Sequence, residues 1–230
     1  MQAHQLPLDL KSVPALGRED FFVTGCNAFA VHWIEKWPAG WAPFPALILY
    51  GARGCGKTHL AEVWRKKSDA DFLSVDHFIH INEHDILSGT RNVVIDRVDL
   101  LIGDRAQEEK LFHLYNQCQQ TGRFFLALSR ISPEKLDFEI KDLASRLRAA
   151  PNAEIATPDD DLLLKVLAKR FHDQGYVVAD SVLVFAVSRM ERSWEALDHL
   201  VNAAIDMATS QKKQITIPLL RDLMVEGLDF

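Results

Sequence analysis

Eight consecutive residues constrain this chain more than any other feature of its sequence. They form the segment GARGCGKT at positions 51–58, which fits the pattern G-x-x-x-x-G-K-[ST] in full. Backbone N–H groups of such a loop point inward around a phosphate, and its glycines permit the curvature that this requires. An apolar run precedes the loop and a helical pattern follows it. The sequence therefore predicts a phosphate-binding loop between a buried strand and a helix.

The positions of this phosphate loop have expected roles in holding a nucleotide. Lys57 reaches the β and γ phosphates, Thr58 binds Mg²⁺, and the helix that follows adds the positive end of its dipole. The predicted nucleotide contacts in and beside the loop are Gly51, Ala52, Arg53, Gly54, Cys55, Gly56, Lys57, Thr58 and His59. The predicted cofactors are ADP or ATP with Mg²⁺, and the sequence leaves open which nucleotide is preferred.

A second acidic position follows another apolar strand. Residues 93–96 read VVID, so Asp96 ends a strand in the position that orients Mg²⁺ in P-loop proteins. Active ATPases of this kind usually carry an acid at the next position to polarise water, whereas this chain has Arg97. A guanidinium cannot act as a general base. Because Asp99 is the nearest other acid, its role stays open, and we expect weak intrinsic hydrolysis.

Apolar runs alternate with helical patterns through the first part of the chain. Short runs without polar alternation predict buried parallel strands at 46–50, 72–75, 93–96 and 124–129. Helices are predicted at 29–37, 57–66 and 106–120. Strands that alternate with helices predict an α/β fold, in which helices sandwich a parallel sheet.

The pattern changes to helices alone after Pro158. Acids at 159–161 suit the positive end of a helix dipole and mark a helix start. Helices are predicted at 162–174, 180–189 and 193–210, and Pro218 opens a last one. We expect an extended arm over 1–17, a nucleotide-binding α/β domain over 18–156 and a small acidic helical lid domain over 157–230.

Charge and composition disfavour several functional classes. The chain has 230 residues and a net charge of −6, whereas a protein that mainly grips nucleic acid backbones is normally basic. Its three cysteines are too widely spaced for a disulfide framework or a metal-ligand pattern. His77, His80, Glu83 and His84 have spacings that could bind a metal on a helix, but we interpret them as a polar loop after a strand.

Targeting signals are also missing from the sequence. The N-terminus lacks the basic start and apolar core of a signal peptide. The longest apolar stretches fall far short of the roughly 20 residues that span a bilayer. The expected protein is therefore cytoplasmic and has no contact with membranes.

Several segments together resemble the DnaA family of bacterial replication initiators. They are FFVTGCN at 21–27, GARGCGKTHL at 51–60, VVID at 93–96, EKLFHLYN at 109–116, DLASRL at 142–147 and RSW at 192–194. The phosphate loop alone is generic, whereas the first and fifth segments at these distances are much more specific. The resemblance covers nearly the whole chain, and it implies the AAA+ fold, a P-loop α/β domain followed by a helical lid.

The resemblance also implies roles for residues around the nucleotide. Phe22 and Val23 would lie beside the adenine. Ser129 falls at the sensor-1 position, where the family usually has a different polar residue. Arg192 opens the third lid helix as the family's sensor-2 arginine does, and Arg189 is a rival for that role.

The catalytic residues implied by the resemblance are Arg146 and Asp96. Arg146 matches the family's arginine finger, a residue that completes the active site of a neighbouring subunit. Such a finger neutralises charge in phosphoryl transfer. Arg148 is close enough in sequence to compete for this role.

Two features make the chain similar to the Hda type within this family, the shorter proteins that inactivate the initiator. The sequence stops after the predicted lid, so we expect no helix-turn-helix DNA-binding domain. Residues 5–10 read QLPLDL, which looks like the peptide that docks on the sliding clamp of DNA polymerase. An extended arm places leucines in apolar pockets. The predicted clamp contacts are Gln5, Leu6, Leu8 and Leu10.

The function predicted from these features is that of a nucleotide-binding regulator of replication initiation. Its predicted partners are the sliding clamp (the β subunit of the polymerase) and the initiator DnaA, with DNA contacted only through the clamp and homodimerisation left open. The runner-up is a helicase-loader-type AAA+ ATPase, and a third candidate is a self-sufficient ATPase. Arg97 and the acidic net charge count against both.

Overall fold

The strand before the phosphate loop is apolar throughout because both of its faces are buried. In β1 (Ala46–Tyr50), Ala46 and Ile48 join the core on one face of the sheet, and Leu47 and Leu49 join the core on the other. Fully burying one such side chain stabilises the fold by about 1.5–3 kcal/mol. The computed structural model describes residues 22–225, with side chains to residue 223; Gln5, Leu6, Leu8 and Leu10 lie outside the described residues.

Five parallel strands form the sheet. The other four are β2 (Asp71–Leu73), β3 (Val93–Ile95), β4 (Phe125–Ser129) and β5 (Asn152–Glu154). The order across the sheet is β2-β3-β4-β1-β5, and each neighbouring pair is parallel. In the register, Tyr50 of β1 pairs with Ser129 of β4. The carboxyl ends of β1, β3 and β4 therefore meet at the edge that carries the phosphate loop, Asp96 and Ser129.

Helices cover both faces of the sheet. Those of the α/β part are α1 (Ala28–Lys36), α2 (Lys57–Ser68), α3 (Val75–His80), α4 (Glu83–Ser88), α5 (Arg105–Thr121) and α6 (Lys141–Ala149). The core with Ile48 includes residues of α3 to α6, and the core with Leu47 includes residues of α1 and α2. The predicted α/β sandwich is confirmed.

A second group of helices follows the sheet. It consists of α7 (Asp160–Asp173), α8 (Asp180–Val187), α9 (Trp194–Gln211) and α10 (Ile217–Val225). These helices share a core of their own, to which Leu163, Leu183, Leu200 and Leu220 contribute. The predicted helical part after the α/β fold is confirmed, and below it is called the lid.

Residues 75–88 form two short helices rather than the polar loop that we expected. Ser74 caps α3 by accepting a hydrogen bond from the backbone N–H of His77 at 3.2 Å, and Asn82 caps α4 by accepting one from that of His84 at 2.8 Å. Among residues 22–223, no cluster of His, Cys, Asp and Glu could hold a metal ion. The elements β5 and α6 also have no counterpart in the prediction.

A buried carboxylate fixes the start of α6. Glu108 of α5 is fully buried, and it accepts hydrogen bonds from the backbone N–H groups of Gly103 at 2.9 Å, Glu139 at 3.0 Å and Ile140 at 2.7 Å. A buried charge is tolerated only when hydrogen bonds replace its water. Glu108 thus joins the loop before α5, at Gly103, to the start of α6, the helix that carries Arg146.

Tryptophans in and just after α1 pack against Trp64 of α2 on the other face of the sheet. Trp41 stacks on Trp64 with 5.2 Å between ring centroids, and its indole N–H donates to the backbone oxygen of Trp33 at 2.9 Å. The ring of Trp37 meets that of Trp64 edge-on at 5.8 Å.

In the part of the chain described, no helix is long and apolar enough to cross a membrane.

Candidate phosphate-binding site

The turn from β1 into the phosphate loop depends on a very close backbone approach. Gly51 has a φ of +153°, and a Cβ at this position would collide with the backbone oxygen of Ile155 and lie 2.9 Å from the Sγ of Cys55. The N–H of Gly51 donates to the backbone oxygen of Ser129 at 3.2 Å, and that of Ile155 donates to Tyr50 at 2.8 Å. Only glycine fits this position.

The rest of the loop curves through two further glycines into α2. Gly54 and Gly56 have φ values of +73° and +102°, which side-chain-bearing residues rarely adopt. Helix α2 begins at Lys57, so the loop leads directly to the N–H groups of its first turn. These groups have no partner within the helix and favour an anion.

The ammonium group of Lys57 is held inside the loop. Lys57 is 8% exposed, and its Nζ donates to the backbone oxygens of Gly51 at 2.7 Å and Ala52 at 2.8 Å. The third contact, to the Sγ of Cys55, is longer at 3.4 Å. A thiol is a weak acceptor, so a phosphate oxygen would replace this contact at the lowest cost. The positive charge, the loop glycines and the helix terminus together suit a nucleotide phosphate.

Two oxygen ligands of the kind that Mg²⁺ prefers lie at the same edge of the sheet. Thr58 is exposed in the first turn of α2, with His59 half-buried beside it. Asp96 directly follows β3, and its N–H donates to the backbone oxygen of Leu73 at 2.9 Å. Magnesium sites with nucleotides commonly use one or two carboxylates together with phosphate oxygens, so Thr58 and Asp96 fit a nucleotide-bound Mg²⁺.

Arg97 turns back onto Asp99. Its φ is +56°, and its guanidinium donates to both carboxylate oxygens of Asp99, with the shortest distance 2.9 Å from Nη2. This hydrogen bonding raises the pKa of Arg97. The backbone N–H of Arg130 also donates to Asp99 at 3.1 Å, and the Asp99 side chain is only 4% exposed. Asp99 therefore has a structural role and is unsuited to activate water.

Ser129 lies fully buried at the end of β4, on the predicted edge. Its Oγ donates to the backbone oxygen of Ile131 at 2.5 Å and accepts from the N–H of the same residue at 3.0 Å. A hydroxyl has one hydrogen to donate. In this structure the hydroxyl donates its hydrogen to Ile131, two residues further along the chain. The sensor-1 role of Ser129 stays a prediction.

The segment expected beside the adenine lies near the end of β5. Asn27 donates from Nδ2 to the backbone oxygen of Phe22 at 2.9 Å, and the N–H of Ala156 donates to the backbone oxygen of Cys26 at 3.0 Å. Val23 is 52% exposed, and Phe22 is half-buried. Because Ile155 next to Ala156 contacts Gly51, this segment and the phosphate loop border the same strand end.

The two arginines considered for the sensor-2 role both have partners within the lid. Arg192 donates from Nε and Nη2 to the two carboxylate oxygens of Asp160, at 2.8 and 3.1 Å. This pair raises the pKa of Arg192 and lowers that of Asp160. Arg189 lies 3.9 Å above the ring of Phe185. Both guanidiniums thus contact side chains of the lid, and the sensor-2 role of either arginine stays a prediction.

The lid instead reaches the loop through the two residues that open α9. Atoms of the Trp194 side chain lie within 4 Å of where a Cβ on Gly54 or Gly56 would stand. Glu195 forms an ion pair with Arg53 at 2.9 Å. Sequence reasoning missed Trp194, and the only available signal was its place directly after Arg192 and Ser193 at a helix start.

Arg146 lies on α6 against α5. Its Nη1 donates to the side-chain oxygen of Asn116 at 2.6 Å, and its guanidinium lies over the rings of Phe112 and Tyr115, with centroids at 5.0 and 5.3 Å. These partners are neutral, and no acidic side chain within the described residues forms an ion pair with Arg146. The guanidinium is therefore oriented while its charge stays uncompensated.

Arg148 is held differently, although it is on the same helix. Its Nε donates to the backbone oxygen of Pro133 at 3.2 Å and its Nη2 to that of Leu136 at 3.0 Å. Its guanidinium also lies 5.4 Å from the ring of Phe138. These backbone contacts make Arg148 a link between α6 and the loop that precedes it.

The fold is that of AAA+ nucleotide-binding domains, and the candidate site is a phosphate loop of the P-loop type. A parallel sheet in the order β2-β3-β4-β1-β5 carries the phosphate loop after its central strand, and a helical lid follows. The structure is similar to domain III of the DnaA replication initiation protein from Thermotoga maritima, with a TM-score of 0.79, 21% identity, and coverage of 93% of this chain and 97% of that domain. AMPPCP-bound DnaA from Aquifex aeolicus gives a TM-score of 0.72 at 19% identity over 86% of this chain and 67% of that one.

Sequence similarity leads to the same proteins. DnaA of Bacteroides thetaiotaomicron is 28% identical over 205 residues, which are 81% of this chain and 43% of that protein. DnaA of Cereibacter sphaeroides is 26% identical over 96% of this chain and 54% of its own length. No family model matches the chain. The chain is thus similar in sequence to the initiator DnaA over most of its own length, and it spans about half the length of these relatives.

The close approach at Gly51 predicts a large cost for adding one methyl group. Gly103 offers a matched control, because its φ is +93° and an added Cβ would meet nothing within 4 Å. Gly103→Ala should cost about 1–2 kcal/mol of unfolding free energy from backbone strain alone. Gly51→Ala should cost about 2 kcal/mol more because of the collision with Ile155. Equal costs in urea denaturation would show that the turn can open without loss.

Proposed function

We propose that this chain is an adenine-nucleotide-binding regulator of replication initiation of the Hda type, which docks on the sliding clamp and stimulates ATP hydrolysis by DnaA. The observation that carries the proposal is that the phosphate loop and the arginine without an acidic partner lie in different parts of the molecule. The phosphate loop is complete around Lys57, whereas Asp99, the acid nearest to Asp96 along the chain, is bonded to Arg97. The oriented, uncompensated arginine lies elsewhere, on α6.

Binding of ADP or ATP with Mg²⁺ is the first part of the proposal. Lys57 would hold the phosphates by exchanging its thiol contact, Thr58 and Asp96 would hold Mg²⁺, and Phe22 and Val23 would border the adenine. The AMPPCP that the DnaA of Aquifex aeolicus binds is an adenine nucleotide analogue, which supports an adenine base here. The nucleotide-binding unit would extend over residues 18–156 and the lid over 157–230.

Weak hydrolysis by the chain itself is the second part. Polarising a water molecule requires a basic group, and the guanidinium of Arg97 cannot accept a proton. Asp99 has both carboxylate oxygens engaged by Arg97, one of them also by the N–H of Arg130. A bound ATP would then persist or be replaced by ADP, so the nucleotide serves to set the conformation of the protein.

Action on a second protein is the third part. Arg146 would enter the nucleotide site of DnaA and stabilise the charge that develops on the transferring phosphate. An arginine finger contributes about 10³–10⁵ in rate. The neutral partners of Arg146 orient its guanidinium without neutralising it, which suits that role. Its cation–π and amide contacts are exchangeable, because each is worth about 1 kcal/mol.

Docking on the clamp is the fourth part, and it rests on the sequence. Gln5, Leu6, Leu8 and Leu10 would bind the clamp as an extended peptide, and Pro7 would lower the entropy lost on binding. The arm would bring Arg146 to initiator molecules near clamp-bearing DNA in the cytoplasm. A homodimer is compatible with this arrangement, and DNA would be contacted only through the clamp.

The nucleotide part predicts that Lys57→Ala loses most affinity for ADP and ATP. Each hydrogen bond between an ammonium and a phosphate oxygen is worth about 1.5–3 kcal/mol, so calorimetry should show affinity reduced by about ten- to a hundredfold. Lys66→Ala is the matched control, since Lys66 is exposed in the last turn of the same helix. Unchanged affinity of Lys57→Ala would refute the assignment of residues 51–58 as the phosphate site.

The regulatory part predicts that Arg146→Ala abolishes stimulation of DnaA in a mixture of clamp, DNA and ATP-loaded initiator. Nucleotide binding by the variant should persist, because Arg146 packs on α5 and not on the phosphate loop. Arg146→Lys should restore little, since an ammonium lacks the planar fork that spans two oxygens. The measurement is phosphate release by the initiator.

Two controls separate the finger from docking. Arg148→Ala, on the same helix, should still stimulate ATP hydrolysis by the initiator. If stimulation is lost in Arg148→Ala, the arginine finger is Arg148. Gln5→Ala should lose clamp binding while nucleotide binding is retained. If the wild-type protein itself gives no stimulation, the regulator proposal fails and a helicase-loader function becomes the better candidate.

A further inference from the structure

The lid touches the phosphate loop with a residue that carries no charge. A Cβ built on Gly54 would lie 3.7 Å from Cδ1 of Trp194, and one built on Gly56 would lie 3.9 Å from its Nε1. The ion pair of Glu195 with Arg53 adds a second contact between α9 and the loop. That pair is exposed, at 73% and 63% for the Arg53 and Glu195 side chains, and contributes only about 0–1 kcal/mol. The indole is therefore the main link between the two.

The indole N–H of Trp194 is buried without an acceptor. Nε1 is shielded from solvent and has no hydrogen-bond partner among the residues described. An indole nitrogen can only donate, and a buried donor left unpaired is unfavourable. Trp33, Trp37 and Trp64 also have unpaired buried indole nitrogens, but these rings belong to the aromatic packing of α1 and α2. The N–H of Trp194 instead lies beside Gly56, where α2 begins.

Anions are favoured at the place where this donor lies. The N–H groups that open α2 and the ammonium of Lys57 together create a positive field there. The guanidinium of Arg192 is paired with the carboxylate of Asp160 in this structure. An acceptor with negative charge in the loop would satisfy the orphan N–H. Trp194 thus combines contact with the loop and an unused donor.

We propose that Trp194 is the lid residue that binds the nucleotide phosphate, with its indole N–H donating to a phosphate oxygen. The proposal rests on the nucleotide binding proposed above and names the contact through which the lid takes part in it. Arg192, for which the sequence predicts a similar role, donates to Asp160 in the first turn of α7. This contact would help to hold the start of α9, and with it Trp194, in place.

The test compares Trp194→Phe with the wild-type protein in calorimetric titrations with ADP and adenosine. Phenylalanine keeps an aromatic ring against Gly54 and removes the N–H donor together with part of the indole, a loss of volume that the Trp33→Phe control shares. Affinity for ADP should fall about tenfold, which corresponds to about 1.4 kcal/mol. Affinity for adenosine, which has no phosphate, should not change. Trp33→Phe is the matched control, because it removes another unpaired indole N–H, which belongs to α1 and not to the lid. This variant should leave ADP affinity unchanged.

A second readout uses the fluorescence of the indole itself. Saturating ADP should change the tryptophan emission of the wild-type protein and of Trp33→Phe, and this change should be lost in Trp194→Phe. Thermal unfolding without nucleotide checks that each variant is folded.

Several results would overturn the assignment of Trp194. Equal ADP affinity in Trp194→Phe would do so. Tighter ADP binding by the variant would also overturn it, because the indole would then block the loop. A matching loss of adenosine affinity would assign the residue to the base instead of the phosphate. If wild-type protein binds no ADP, or if Lys57→Ala binds it normally, the proposed nucleotide site itself is wrong and the role of Trp194 falls with it.

Discussion

The contact between Gly51 and the backbone of Ile155 is the constraint on which the arrangement of the site depends. β1 lies between β4 and β5, and the chain must leave it through a gap with no room for a side chain. The same strand end holds the segment of Phe22 through the bond between Ala156 and Cys26. One glycine therefore fixes the phosphate loop relative to the strands on both sides and to the residues expected at the adenine.

The geometry beyond the loop favours binding over turnover. Asp96 follows β3 at the correct edge of the sheet, but the chain then adopts a left-handed conformation at Arg97 and folds its guanidinium onto Asp99. The resulting pair is also bonded to the backbone of Arg130 after β4. It therefore joins two neighbouring strand ends in a region where an ATPase would need an acid facing water. The pairing that stabilises this edge is also the basis for the weak hydrolysis proposed above.

Local sequence patterns predicted the strands and helices whose buried positions are all occupied by apolar residues. The strands β1 and β4 and the long helices α2, α5 and α9 all begin and end within two residues of their predicted bounds. β5 could not be found in this way, because Asn152 and Glu154 are polar and the strand forms only by pairing with β1. The helices α3 and α4 have six residues each, which is too short for a helical periodicity to be recognised in the sequence. The side-chain caps of Ser74 and Asn82 mark their starts instead.

The candidate site was predictable where one segment contains it and was not where distant segments meet. The loop around Lys57 is contiguous, so its motif identifies it fully. The role of Arg192 depends on Asp160, which lies 32 residues away, and no local pattern indicates that pair. The same holds for Trp194, whose contact with Gly54 and Gly56 exists only because α9 packs against the loop. Long-range contacts decide which side chain at a helix start packs against the loop.

We propose that this chain holds a nucleotide that it does not hydrolyse at an enzymatic rate. The most direct test incubates the purified protein alone with ATP and Mg²⁺, measures phosphate release, and identifies the nucleotide that remains bound. The account predicts stoichiometric binding with release far below the roughly 1 s⁻¹ at which typical enzymes begin. Release at about 1 s⁻¹ or faster would contradict it, because Asp99 or another group would then have to activate water.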